Sequence, residues 1–334
     1  MKAPIQVTQF QRRPMPGYVS IERLFDSVRN ELPPDIACRT HVCPRFSKGV
    51  WPRIVNLLDA RRHQSSVNHI TGDSHYLALA LEGRRTVLTI HDCASLERLR
   101  GFKRAVFKHF WYTLPVRRAA VVTVVSEATR RELLRHVACD ERKVRVVANC
   151  VGGEFKPCPR PFNEAGPVLL QIGTAANKNL ERVIEAIAGL VCRLNIIGSL
   201  SGSQRALLER FRTRFTNITQ ADGSQLLEAY HECDMLVFAS TYEGFGLPII
   251  EANAVGRPVV TGNILSMPEV AADAACLVDP LDVASIRVGI QRVWKDARYR
   301  DALVQAGYEN VRRFEPRTVA AQYAAIYREL AFVR

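Results

Sequence analysis

No apolar run in this 334-residue chain approaches the ~20 residues that a membrane-spanning helix needs. The most apolar stretch, Ala119 to Val125, is short and broken by Thr123, which argues against a helical membrane span. The opening residues, MKAPIQVTQFQRRP, carry no apolar signal-peptide core, so a cytoplasmic location is the expectation. The nine cysteines form no Cys-x-x-Cys pair, which leaves no zinc ribbon and no thioredoxin-like redox motif. Cys38, His41 and Cys43 lie close together, but no second ligand pair follows at zinc-finger spacing. Reduced, mostly buried thiols are therefore expected. No Gly-x-Gly-x-x-Gly follows a candidate strand, against an NAD-dependent dehydrogenase. Internal repeats of solenoid period and low-complexity tracts are absent as well.

What remains is ordinary globular material, 47% hydrophobic and 24% charged. At about 150 residues per domain it suffices for two cores. Acidic residues are scarce in the first half only. Residues 1–160 hold 28 Lys and Arg against 14 Asp and Glu, whereas residues 161–334 hold 18 against 19. A basic half beside a neutral half suggests an anionic partner for the first: nucleic acid, a membrane surface or a phosphorylated substrate.

Both halves alternate short β-rich runs with amphipathic helical stretches. Strands are expected at Ile5–Gln9, Asp35–His41, Val67–Thr71, Thr86–His91, Ala120–Val125 and Val144–Val147. Five more are expected at Val168–Gly173, Leu194–Gly198, Met235–Ala239, Pro258–Thr261 and Ala275–Val278. Helices are expected at about Ser20–Glu31, Trp51–Arg61, Lys103–Val116 and Glu127–His136. This alternation predicts an α/β protein with parallel sheets covered on both faces. The segment CVGGEFKPCPRPFNEAGPV, rich in Gly and Pro, can continue neither sheet. It divides the chain into a basic domain over 1–150, a linker over 151–167 and a second domain over 168–316. A helix over 317–334 is expected to pack back on the first domain.

The most informative segment, Ser240-Thr-Tyr-Glu-Gly-Phe-Gly-Leu-Pro-Ile-Ile-Glu251, directly follows an apolar run. Its glycines let backbone N–H groups approach a ligand at a positive helix N-terminus, and Pro248 suits a first helical turn. Glu251, one turn further, can accept hydrogen bonds from a diol. A tight strand–helix turn with dipole-stabilising glutamates accounts for the same residues.

Glu243-Gly-Phe-Gly-Leu-Pro…Glu251 resembles the E-x7-E signature of the retaining, GT-B-fold glycosyltransferases of family four (glycosyl transferases group 1). Further segments resemble that family in the same order. They are Thr89-Ile-His91-Asp92, Val124-Val-Ser126-Glu127, Val146-Val-Ala-Asn149, and Val168-Leu-Leu-Gln-Ile-Gly-Thr174 with Asn177-Lys178-Asn179. The resemblance implies the GT-B fold, two doubly wound Rossmann-like domains facing across a cleft. It implies that Glu251 binds the ribose hydroxyls of a UDP- or GDP-linked nucleotide sugar and Glu243 the donor sugar. Main-chain N–H groups of Gly244, Phe245 and Gly246 would meet sugar and β-phosphate, with Gly173, Thr174 and Leu247 completing the donor site. Lys178 would neutralise the pyrophosphate, and His91 would contact the transferred sugar near the reacting centre. His91, Glu243 and Lys178 are thus the catalytic candidates. Gly17, in Pro14-Met-Pro-Gly17-Tyr18, and Asp92 are candidates for an acceptor or phosphate loop.

The chemistry needs such parts on physical grounds. Departure of a diphosphate concentrates negative charge while the sugar becomes oxocarbenium-like, and a fixed cation with preformed N–H donors stabilises that charge. No Asp-x-Asp motif occurs in the chain, which fits a reaction without metal or other cofactor. The loop Thr174-Ala-Ala-Asn177 departs from the family in lacking its Arg. Ser126 and Glu127 read as a helix cap.

The stretch 98–118 carries seven Lys and Arg, no acid and five aromatic residues, a pattern suited to an anionic bilayer surface. Polyprenyl-linked or saccharide acceptors, and a peripheral place on the inner face of the plasma membrane, are expected. Two other readings compete: a GT-B-fold nucleotide-sugar epimerase and a basic nucleic-acid-binding protein. The latter leaves Glu243–Glu251 without a purpose, and no RNP or zinc-finger motif supports it, so nucleic acid is not expected as a partner.

Overall fold

A computed structural model describes residues 3–14 and 20–332, and the chain divides into two compact units. One runs up to Cys150 and takes in the C-terminal segment from Pro316; the other is Val151–Glu315.

In the first unit, six strands are β1 (Ile5–Gln11), β2 (Ile36–Val42), β3 (Val67–Ile70), β4 (Thr86–Ile90), β5 (Val121–Val124) and β6 (Val144–Val146). They form one parallel sheet in the order β2-β1-β3-β4-β5-β6, with Val7 opposite both Cys38 and Val67. Every residue of β3, β4 and β5 is buried, as β-branched strands covered by helices on both faces should be. Phe10, Ile70, Leu88 and Val122 fill one face, and Val7, Val67, Val87 and Val121 the other. The helix Pro316–Ala331 packs on the second face through Val319, Tyr323, Tyr327 and Leu330. Its buried phenol is partnered: Tyr327 Oη lies 2.6 Å from His69 Nδ1 and accepts from Gln9 Nε2 at 3.2 Å.

The helical pattern expected over 103–116 runs continuously from Gly101 to Arg118, with a π-helical turn at His109–Thr113. Pro115 explains the widening, because it has no N–H for the carbonyl four residues back. That carbonyl, on Trp111, accepts instead from His75 Nδ1 at 3.0 Å.

The second unit has β7 (Val168–Ile172), β8 (Arg193–Ile197), β9 (Arg214–Ile218), β10 (Met235–Phe238), β11 (Val259–Gly262) and β12 (Cys276–Val278). Their order is β12-β11-β10-β7-β8-β9, all parallel. β9, sequence RFTNI, lies at the sheet edge and is half to fully exposed, so it carries no apolar run to announce it. Residues 151–167, expected as a linker, belong to this unit. Asn163 N–H and Val168 N–H donate to Asp234 at 3.0 and 2.7 Å, Cys158 N–H donates to the Val255 carbonyl, and Phe155 packs on Tyr230.

Candidate functional site

In doubly wound sheets, ligands sit beyond the strand C-termini where the strand order reverses. In the second unit that point lies between β7 and β10. Two loops leave it, Gly173–Asn179 after β7 and Ala239–Gly246 after β10. They are stitched together: Thr241 N–H donates to the Asn177 carbonyl at 2.8 Å, and Asn177 Nδ2 to the Tyr242 carbonyl at 3.0 Å. Asn179, left-handed at φ 60°, donates from Nδ2 to the Ala239 and Pro280 carbonyls at 2.9 and 2.6 Å. Gly173 has φ +87°, and a Cβ there would stand 2.8 Å from Lys178 Cγ. The Lys178 stem therefore lies across a position only glycine can occupy.

Lys178 Nζ donates to Glu243 Oε1 at 2.7 Å and rests 4.8 Å from the Phe238 ring centroid. Both charged side chains are only partly exposed, so the pair is held rather than loosely solvated. Just beyond, Gly246 (φ +109°) opens the helix Leu247–Val255, with Pro248 in its first turn. The N-terminus of this helix carries the positive end of its dipole, and the Ile249 N–H there donates to the Gly246 carbonyl at 3.0 Å. The Ser266 hydroxyl lies 2.9 Å from both the Glu243 and Phe245 carbonyls, fixing the loop from behind. The Phe245 ring is buried against Phe314, so only the main chain of Phe245 faces a ligand. Thr174 is a strut, its hydroxyl donating to the Ser199 carbonyl at 2.6 Å. Glu251, on the helix, accepts at Oε2 from the fully buried Tyr230 hydroxyl at 2.6 Å. Burial and then the adjacent carboxylate push the Tyr230 phenol well above its ordinary range, so it stays a donor. The structure thus brings Gly173, Lys178, Glu243 and Gly246 together, with Glu251 one turn along. The next basic residue, Arg182, turns to Asn179 Oδ1 at 2.9 Å.

In the first unit the reversal lies between β1 and β3, and a cavity of about 710 Å³ opens there. His91 and Asp92, which follow β4, line it, with Arg12, Arg13, Lys48 and Trp111. His91 Nε2 donates to the Thr71 carbonyl at 2.8 Å, which leaves Nδ1 as the acceptor of the neutral ring. Asp92 Oδ1 accepts from Ala94 N–H at 2.9 Å, opening a short helix. Gly17, the candidate loop contact, lies outside the described residues. Ser126 caps its helix by accepting from Thr129 N–H at 3.0 Å. Arg12, Arg13 and Lys48 were not expected from the sequence. The cavity draws on residues from 12 to 112, so no contiguous motif announces it. Arg12 pairs with Glu22 and Asp73, while Arg13 covers the Phe46 ring and donates to the Pro44 carbonyl.

The cysteines are free thiols, six of them buried. Burial pushes Cys43 up to about 11 and Cys38 up to about 12, so both are protonated thiols in the free protein at neutral pH. His41 pairs with Asp59 at 2.6 Å and stacks on His63. Among the described residues, metal-competent clusters are His41–Asp59–His63 and Glu97–Glu132–His136, both in the first unit and neither touching Lys178–Glu243.

Two doubly wound parallel-sheet units define the GT-B class of glycosyltransferases. The model of glycosyl transferases group 1 matches residues 154–310, and that of glycosyltransferase family 4 matches residues 20–152. The chain belongs to the group 1 glycosyltransferases of GT-B fold. It is 27% identical over 292 residues to the O-antigen chain mannosyltransferase B of Escherichia coli, covering 78% of this chain and 74% of that one. Among solved structures, sucrose-phosphate synthase from Thermosynechococcus elongatus superposes with a TM-score of 0.79 at 18% identity, over 98% of this chain and 99% of that one. Anabaena HepE, in complex with UDP and glucose, superposes with a TM-score of 0.77 at 15% identity, over 97% and 100%. These matches favour a transferase over an epimerase.

Proposed function

We propose that this enzyme moves a hexose, mannose by its kinship, from a UDP- or GDP-linked donor to a saccharide or lipid-linked acceptor in bacterial surface-polysaccharide assembly. Retention of anomeric configuration and independence of metal are part of the reading. The observation that supports it most is the Lys178–Glu243 pair at 2.7 Å, set against the N-terminus of the helix Leu247–Val255.

The arrangement suits departure of a nucleoside diphosphate. Before the donor enters, Glu243 neutralises Lys178. A sugar hydroxyl donating to Glu243 frees the ammonium to face the β-phosphate, where charge grows as the glycosidic bond breaks. Fixed donors of this kind contribute roughly 1.5–3 kcal/mol each and need no reorganisation during the reaction. Glu251, which accepts from the Tyr230 hydroxyl, binds the ribose diol in this reading. Attack from the face the diphosphate leaves lets that phosphate take the acceptor proton, so no side chain need act as base. The acceptor enters the first unit, where His91 meets the transferred sugar and the basic stretch 98–118 faces an anionic membrane.

The test is a panel of UDP- and GDP-hexoses with EDTA present, followed for slow release of nucleoside diphosphate. Turnover that survives EDTA and falls about 100-fold or more in Glu251→Ala is expected. No turnover and no thermal shift from any nucleotide would sink the reading.

A further inference from the structure

Cys38, His41 and Cys43 stand close in sequence, but the fold parts them. Cys38 packs with Tyr327 on one face of the first unit's sheet, and Cys43 with Phe10 on the other. His41, next to last in β2, meets the helix Val50–Arg62 instead. The buried Phe10 ring meets the His41 ring edge to face at 5.6 Å and orients it. His41 Nε2 donates to Asp59 Oδ2 at 2.6 Å, and its ring stacks on that of His63 with centroids 4.0 Å apart. Asp59 and His63 stand one turn apart at the end of the helix, so both reach the same point. His63 Nδ1 lies 3.5 Å from Asp59 Oδ1 and donates to the Asp59 carbonyl at 2.9 Å.

A plain pair of His41 with Asp59 accounts for two of these residues and leaves the third unexplained. This unit is rich in Lys and Arg, yet among the described residues neither type pairs with Asp59, whose partners are the two histidines. Arg39, from the same strand as His41, is turned to Thr8 Oγ1 and the His63 carbonyl at 3.0 and 3.1 Å. One carboxylate is thus kept for two imidazoles.

We propose that His41, Asp59 and His63 bind a zinc ion, which staples β2, the edge strand of its sheet, to the helix Val50–Arg62. One candidate ligand atom from each residue lies within 4.8 Å of the others. Ligand atoms around tetrahedral zinc stand about 3.3 Å apart, so the observed 2.6 and 3.5 Å need only small adjustments. The ring protons on His41 Nε2 and His63 Nδ1 move to the other nitrogen of each ring, which stays neutral while the freed lone pair takes the ion. All three side chains are partly exposed, so water can complete the fourth position. Two imidazoles and one carboxylate select zinc over magnesium or calcium, which favour oxygen ligands. The helix so held carries Arg53, whose guanidinium covers the Trp111 ring at the cavity, 4.5 Å from its centroid. The ion therefore steadies one wall of that cavity. It lies in the other unit from Lys178 and Glu243 and does not depend on the donor chemistry, so turnover in EDTA is compatible with it.

The test titrates zinc into the full chain, freed of tags and stripped by a chelator, in a buffer that does not bind the metal. One equivalent is expected to bind with a Kd of about 10 μM or below, weaker than a four-ligand structural site. At about 100 times Kd it should raise the melting temperature by about 5 °C. His41→Gln and His63→Gln should each weaken binding more than about tenfold while keeping the metal-free melting temperature. His136→Gln, in the cluster with Glu97 and Glu132, should leave binding unchanged. Should the first two variants fail to fold, X-ray absorption of the zinc-loaded wild type decides alone. A shell of nitrogen and oxygen at about 2.0–2.2 Å, with imidazole scattering and no sulfur at about 2.3 Å, is expected. Binding weaker than about 100 μM would overturn the proposal, as would binding that His41→Gln leaves intact. A sulfur shell would overturn it too, because the ion would then sit on a cysteine.

Discussion

The two units reverse their strand order beside their first strand, yet they build different places there. In the second unit the site is backbone and one ion pair: Gly173 and Gly246 at positive φ, Lys178 on Glu243, and a helix N-terminus. In the first unit it is a wide cavity of aromatic and basic side chains. The former holds a ligand through short, fixed contacts along two loops. The latter presents a broad wall that tolerates changes of ligand. A conserved donor chemistry and a variable acceptor would divide in this way.

The sharpest way to break the comparison is Lys178→Ala. Donor turnover is expected to fall about 100–1000-fold, with the melting temperature little changed because Lys178 is partly exposed. A large loss of stability with full activity per folded molecule would make the ion pair a structural clasp.

The first unit should answer to pH instead. Burial holds His69 down at about 3 against an ordinary 6.5, so the unfolded chain takes the proton first. The stability of the neutral ring is complete above pH 6.5 and is lost as pH falls toward 3, by about 1.4 kcal/mol per unit. His75, held at about 4 by burial, adds to the same slope. Unfolding free energies from urea titrations at pH 7 and pH 4 should differ by about 2–3 kcal/mol less in His69→Gln than in the wild type. Parallel profiles would show that His69 is not the group lost.

A smaller effect separates the two sites directly. Arg13→Ala with Lys48→Ala is expected to raise the acceptor KM about tenfold, whereas an equal rise in donor KM would mean that the cavity serves the nucleotide. Smallest is Tyr230→Phe. Losing the 2.6 Å hydrogen bond to Glu251 should raise donor KM severalfold, by about 1 kcal/mol, with kcat nearly kept.

Legibility followed locality. The buried strands β4, β5, β10 and β11 read directly from their apolar runs, and the loops after β7 and β10 stood out because their glycines, Lys178 and Glu243 lie in short contiguous segments. β9 escaped because RFTNI at an exposed edge has no periodicity to detect. The cavity escaped because the tertiary fold assembles it from distant segments. The helix over 51–61 was expected, but its facing was not: Trp51, Ile54 and Leu58 have the spacing of a core face yet lie exposed, while Asn56, Leu57 and Ala60 turn inward.

The helix Pro316–Ala331 completes the core that begins with β1, with the whole of Val151–Glu315 intervening. On the ribosome, at about 5–20 residues per second, that interval lasts roughly 10–30 s. Throughout it, the sheet face that Tyr323 and Tyr327 will cover has only Leu24, Phe25 and Val28 of the helix Ser20–Asn30 on it, while the second unit is gaining its own strands. The half of the chain synthesised first is therefore the half finished last, and its exposed apolar face is what a chaperone would meet during synthesis.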